Sequence, residues 1–248
     1  MKKRCFILCL VIVTVSIVFN SCRKDDKGEI IPKKPINGIS TAEFNPKVAY
    51  GTMTDCEGNI YKTVTIGTQT WMAENLRTTL YSDGAAIRNV TDDAEWEALT
   101  AGAYCNYNNT ISTDTIATYG RLYNWYAVNT GKLSPTGWHV PTDAEWTTLI
   151  KYLGDMDVAG DKLKEASRTH WPNFYSDMIN EFGFTALPGG FCTNIGTFDS
   201  IGDQGHWWSA TEVNINIAWS QDISNFWSDI FKESTSKKVG ISVRCVKD

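Results

Sequence analysis

The sequence predicts an α+β domain of short, irregular antiparallel strands with a few short helices. Three observations predict it. Residues 60–66, Ile-Tyr-Lys-Thr-Val-Thr-Ile, alternate in a β-rich run beside a Gly-Thr turn. Two short stretches carry helix-start signals, at Asp92–Leu99 and at Thr142–Leu153. Beyond about residue 155, helical periodicity fades into Gly-Gly, Trp-Trp and short β-like runs. Ten Trp, ten Tyr, ten Phe and 19 Gly fit a loop-rich fold held together by aromatic packing.

The N-terminus is read first as a targeting segment. Lys2, Lys3 and Arg4 precede an apolar run from Phe6 to Phe19, which ends in Asn20-Ser21-Cys22. The run is too short to span a bilayer comfortably, which takes about 20 apolar residues. A small residue before a cysteine resembles a bacterial lipoprotein signal. That resemblance implies cleavage after residue 21 and acylation of Cys22 by palmitate-type chains, each buried CH2 contributing about 0.8 kcal/mol to a membrane anchor. Lys24-Asp25-Asp26 resembles the signal that sends such lipoproteins to the outer face of the outer membrane. Residues 22–50, with Pro32, Pro35 and Pro46 and no amphipathic period, are expected to be a flexible tether. A single domain is expected over 51–248, a length that supports a sizeable core.

Within that domain, Asp55–Asn59 reads as a turn into the strand at 60–66. Gly67-Thr68 returns the chain into a second strand, Gln69–Met72. The helix after Pro141 has Thr142 three residues ahead of Glu145, a capping-box pattern. Its apolar face is Trp146, Leu149, Ile150 and Leu153, and Gly154 offers a stop. Asp92-Asp93-Ala94-Glu95-Trp96 echoes the same start.

Charge and cysteines bound the function. The whole chain carries −5, with 23 basic and 28 acidic residues; removing Lys2, Lys3 and Arg4 with the leader leaves 20 − 28 = −8. An acidic chain without a Lys/Arg cluster is a poor partner for nucleic acid. Besides Cys22, the exported part has Cys56, Cys105, Cys192 and Cys245. Outside the cytoplasm these four are disulfide candidates, with three connectivities open. No Cys-x-x-Cys pair suggests zinc.

Six segments then identify the family. They are Asp55–Leu76, Tyr119–Ala127, Gly137–Trp146, Phe184–Gly190, Trp207–Glu212 and Gly240–Val246. In this order, over about residues 52–247, they resemble the Fibrobacter succinogenes major paralogous domain family. More distantly, the Pro-Thr-x-Ala-Glu-Trp helix and the terminal Val-Arg-Cys-Val run resemble the sulfatase-modifying, formylglycine-generating fold. This more distant resemblance implies a C-type-lectin-like domain, while the resemblance to the Fibrobacter family implies an exported protein or lipoprotein, mostly of unassigned function. The family often has Cys where this chain has Ser134. The bridge such a Cys would make to Cys245 is then absent, and the resemblance leaves Cys192 as a partner for Cys245.

Catalytic signatures are missing. There is no Gly-x-Ser-x-Gly, His-Glu-x-x-His or Gly-Lys-Ser/Thr. Of the three histidines, His139 and His170 read as structural or loop residues. His206, beside Trp207-Trp208, is the candidate for a ligand surface. With Trp219 and Trp227 these residues form the candidate site for stacking a sugar. The adjacent pair Trp207-Trp208 must face opposite sides of a strand, so burial of both requires cover on both faces. A dense Asp-x-Asp-x-Asp run for calcium is absent, so no cofactor is assigned and calcium is left open. The expected function is a non-enzymatic, surface-anchored lectin-like lipoprotein binding a glycan or surface protein. The rivals are an exported enzyme derived from the formylglycine-generating fold and a structural surface subunit.

Overall fold

A computed structural model of the chain describes residues 38–172 and 178–248. The leader, Cys22 and residues 22–37 of the expected tether lie outside the described residues. No helix among the described residues is long and apolar enough to cross a membrane.

In chain order the strands are β1 (Gly51–Thr54), β2 (Ile60–Ile66), β3 (Gln69–Met72), β4 (Arg88–Asn89), β5 (Ala103–Cys105), β6 (Leu122–Tyr123), β7 (Trp138–His139), β8 (Gly189–Cys192), β9 (Phe198–Ile201), β10 (Gln204–Asn214), β11 (Ile217–Ser224), β12 (Ile230–Ser236) and β13 (Val246–Lys247). The helices are α1 (Asp93–Glu97), α2 (Thr113–Tyr119), α3 (Trp125–Val128), α4 (Asp143–Tyr152) and α5 (Met156–Leu163). The molecule is α+β, with mostly short strands. A five-stranded antiparallel sheet runs β1-β2-β3-β13-β7, so the end of the chain is paired between β3 and β7, far earlier in the sequence. A second sheet, β10-β11-β12, is an antiparallel meander. Smaller pieces are β4-β5-β6 and the β8–β9 hairpin.

Local chemistry explains the elements read from the sequence. The β2–β3 hairpin turns at Gly67, whose φ of 61° suits glycine. Helix α4 starts in a complete capping box: the Thr142 hydroxyl accepts from the Glu145 amide, and the Glu145 carboxylate accepts from the Thr142 amide. Asp92 caps α1 in the same way, accepting from the Glu95 amide.

Two large apolar clusters fill the interior. One gathers Trp71, Trp146, Phe184 and Trp207; the other gathers Tyr61, Tyr123, Trp125 and Trp208. Trp71 and Trp146 lie 4.8 Å apart, ring centre to ring centre. Each indole taken from water contributes about 4–6 kcal/mol of transfer free energy, at 150–250 Å² of buried surface. A third, smaller cluster contains Trp96, Leu122, Cys105 and Cys192.

Two expectations are corrected here. Residues 38–50 do not continue a free tether. Phe44, Val48 and Tyr50 pack on the first cluster, and the Glu43 amide donates to the buried Glu165 carboxylate at 2.5 Å. The segment has no regular secondary structure, yet the apolar spacing of Phe44, Val48 and Tyr50 is enough to dock it. Helical structure also does not end near residue 155, because α5 follows at once. Its Gly160 hides it from a propensity reading. A Cβ there would sit 2.3 Å from the Asp229 carbonyl oxygen, so the glycine serves the approach of α5 to the loop before β12.

Candidate functional site

The β10–β12 sheet builds a groove from its register. His206 lies opposite Asp222, which lies opposite Phe231; Trp208 lies opposite Ser220, which lies opposite Glu233. Alternation puts these six positions on one face. Two neighbouring hollows open on that face, of about 370 Å³ and about 310 Å³. Both are lined by His206, Asp222 and Glu233. Each is within the size range of small-molecule sites.

The floor is polar and ordered. His206 Nδ1 is 2.9 Å from Asp222 Oδ2. The Ser220 hydroxyl donates to Asp222 Oδ1 at 3.0 Å, and its oxygen lies 2.8 Å from that of Thr235. Phe191 meets the His206 ring edge-on, with centroids 5.0 Å apart. These contacts fix the imidazole and leave its Nε2 as a buried nitrogen without a hydrogen-bond partner. Burying such a group unpaired costs about 1–3 kcal/mol. The lining of both hollows includes two carboxylates and no lysine or arginine.

The rim is aromatic. Phe226 and Trp227, in the loop between β11 and β12, are 55% and 61% exposed and line the larger hollow. Their loop is tied down from below. Buried Lys164, just after α5, donates to the Trp227 carbonyl at 2.6 Å, and the Asp161 amide donates to that of Ser228 at 3.2 Å. Asn225 donates from its backbone and side chain to Asp203. The ring of Trp227 is thus exposed on an anchored backbone. Burial pushes the Lys164 ammonium down to about 8, against the opposing pull of Asp161.

The structure separates the residues that the sequence grouped. His206 and Trp227 meet at the groove. Trp207 and Trp208 leave it as ligand surfaces, because both are fully buried. Both faces of β10 are covered there. Trp207 enters the first cluster and donates to Asn75 Oδ1 at 2.9 Å; Trp208 enters the second and donates to the Tyr123 carbonyl at 2.7 Å. Trp219 sits on the opposite face of β11, under the Lys232 ammonium at 4.0 Å. Lys232 also pairs with Asp143, which directs it away from the groove. Glu233 and Phe226 were missed by the sequence reading. Only strand register reveals them, as isolated acids and aromatics have no motif.

The other two histidines are each held by carboxylates away from the groove. His139 bridges Asp248 and Glu145 at 2.6 and 2.7 Å, and His170 lies 2.6 Å from buried Glu165. Cys105, Cys192 and Cys245 carry no disulfide in the structure. A pairing of Cys245 with Cys192 does not hold. Cys245 lies in the second cluster and donates to Ser134 Oγ at 3.3 Å, whereas Cys192 lies in the third cluster against Cys105. Burial pushes the Cys245 thiol up to about 12. Cys56 donates to the Tyr81 carbonyl at 3.4 Å. Among the described residues no group of three or more His, Cys, Asp or Glu side chains is arranged to hold a metal ion.

The family model described as the Fibrobacter succinogenes major domain matches residues 64–247, well over half of the chain. No curated protein and no solved structure matches.

Proposed function

This chain belongs to the Fibrobacter succinogenes major domain family, and on that premise we propose that it is a non-enzymatic binding protein whose β10–β12 groove takes a glycan. The observation that carries the reading is an exposed, anchored Trp227 beside an ordered floor of His206, Asp222 and Glu233. Sugar rings offer an apolar face to an indole and hydroxyls to carboxylates and ring nitrogens. The unpartnered Nε2 of His206 supplies one such polar contact when the ring and its neighbours relax around a ligand.

Charge selects the ligand class. The groove has carboxylates and no lining cation, so acidic sugars are disfavoured and neutral or amine-bearing sugars favoured. Export supports the same reading. The leader and Cys22, read as a lipoprotein signal and its acylated residue, support a domain on the cell surface within reach of polysaccharides and host glycans. A lectin-like fold is part of this proposal.

A glycan array with titration calorimetry tests it. The expected result is binding to neutral or amino glycans that falls at least tenfold in Trp227→Ala and in Glu233→Ala, with melting temperatures unchanged. Truncating a central aromatic anchor commonly costs 2 kcal/mol or more, about thirtyfold. No binding across neutral and amino glycans, or binding indifferent to both substitutions, overturns the reading. The anchor is tested separately. Fatty-acid labelling lost in Cys22→Ala, with protease cleavage on intact cells, is the expected outcome.

A further inference from the structure

We propose that Cys105 and Cys192 form a disulfide in the exported protein, joining β5 to β8 across the third apolar cluster. The proposal is independent of the glycan reading. The two residues belong to the same small cluster and line the same narrow cavity, beside Trp96 and Phe198. Cys192 is near enough to Cys105 to push its thiol further above the ordinary range, beyond the larger effect of burial. Each ends a strand whose position is fixed by pairing. Cys105 lies opposite Leu122 of β6; Cys192 lies opposite Phe198 of β9 and exchanges two 2.8 Å backbone hydrogen bonds with Gly240. The β4-β5-β6 sheet and the β8–β9 hairpin share no strand, so a covalent link here joins two otherwise separate pieces of sheet.

The alternatives fit less well. Cys245 is engaged by Ser134 in another cluster, and Cys56 by the Tyr81 carbonyl. Cys105 and Cys192 enclose about 90 residues, and closing a loop of that order restricts the unfolded chain substantially.

The oxidant is a disulfide-bearing redox partner. One cysteine thiolate attacks a sulfur of the oxidant's disulfide, forming a mixed disulfide and releasing one thiol. The second thiolate displaces the remaining oxidant sulfur. Two protons leave the protein thiols, two electrons pass to the oxidant, and the oxidant ends as a dithiol. Cys105 and Cys192 are 1% and 0% exposed, and burial holds the Cys105 thiol well above the ordinary thiol range. The exchange therefore belongs to folding, before the cluster closes, and not to the finished fold.

The test is refolding of the full chain in a glutathione couple, followed by unreduced proteolysis and mass spectrometry. The expected result is a peptide carrying Cys105 joined to that carrying Cys192, 2 Da lighter than the sum of the two. Reduction should lower the melting temperature by about 5–15 °C. That dependence should vanish in Cys105→Ala and in Cys192→Ala and persist in Cys56→Ala. Full alkylation of both cysteines in the unreduced, denatured protein overturns the proposal, as does a peptide joining Cys192 to Cys245. The peptide map on the unaltered chain decides the matter even when a variant fails to fold.

Discussion

Arg244 is the residue whose environment is most demanding. It is fully buried between the rings of Phe184 and Trp207, and burial pushes its guanidinium down to about 9. It donates to Asn75 Oδ1 at 2.8 Å, to the Thr185 carbonyl at 2.7 Å and to the Phe184 carbonyl. Its planar fork satisfies all three at once, which an ammonium cannot do. Arg244→Lys is therefore expected to destabilise by about 3–5 kcal/mol, measured by urea unfolding. Ser134 invites the opposite experiment. Its hydroxyl lies 3.3 Å from the Cys245 sulfur, so Ser134→Cys should form a bridge that stabilises by about 2–4 kcal/mol and is lost on reduction. Lys164 supplies a pH test. Its folded value of about 8 lies below its ordinary 10.5, so between those values the unfolded chain holds more protons and stability rises with pH. Relative to Lys164→Met, the protein should gain about 1–2 kcal/mol from pH 8 to pH 9.5. A pH-independent difference would show that the ammonium is not carrying that cost.

Among elements, those with local causes were readable in the sequence. Thr142 and Glu145 define the start of α4 within four residues, and Gly67 sets the β2–β3 turn. What escaped depends on distant partners. Nothing near Trp207-Trp208 states that both faces of β10 are covered; that follows from Phe184 on one side and Tyr123 on the other. The groove escaped for the same reason, because Asp222 and Glu233 meet His206 only through register. Helix α5 shows the conflict directly. Gly160 weakens it by about 1 kcal/mol relative to alanine. Yet Gly160→Ala should lower stability by about 1–3 kcal/mol, since the new methyl meets the Ser228 and Asp229 carbonyls. It should also weaken the proposed glycan binding, because the displaced loop carries Trp227. Higher stability with unchanged binding would show that the backbone yields freely there.

For the whole molecule, the docked segment 38–50 changes where the domain begins and what the proposed anchor would span. Composition alone placed the boundary near residue 51, because prolines and charges dominate upstream. The structure instead gives this segment a share of the first core through Phe44, Val48 and Tyr50. It also completes a buried polar pair: Thr41 Oγ1 lies 2.9 Å from His170 Nε2, and the Glu43 amide reaches Glu165, which holds the other ring nitrogen of His170. Removing the segment would leave the carboxylate and imidazole facing water through an opened core wall. A chain beginning at Gly38 should therefore melt with the full-length protein. A chain beginning at Gly51 should melt about 5–15 °C lower, from a loss of about 3–5 kcal/mol in packing and hydrogen bonds. Equal melting of the two truncations would restore the boundary that composition suggests. If they differ, the stretch between the proposed acylation site, Cys22, and the domain ends by residue 38. It then has at most 16 peptide steps, and a fully extended reach of about 55 Å at most. On the proposed acylation of Cys22, that reach would hold the groove within one domain diameter or so of the membrane and restrict the proposed ligands to those that approach the surface closely.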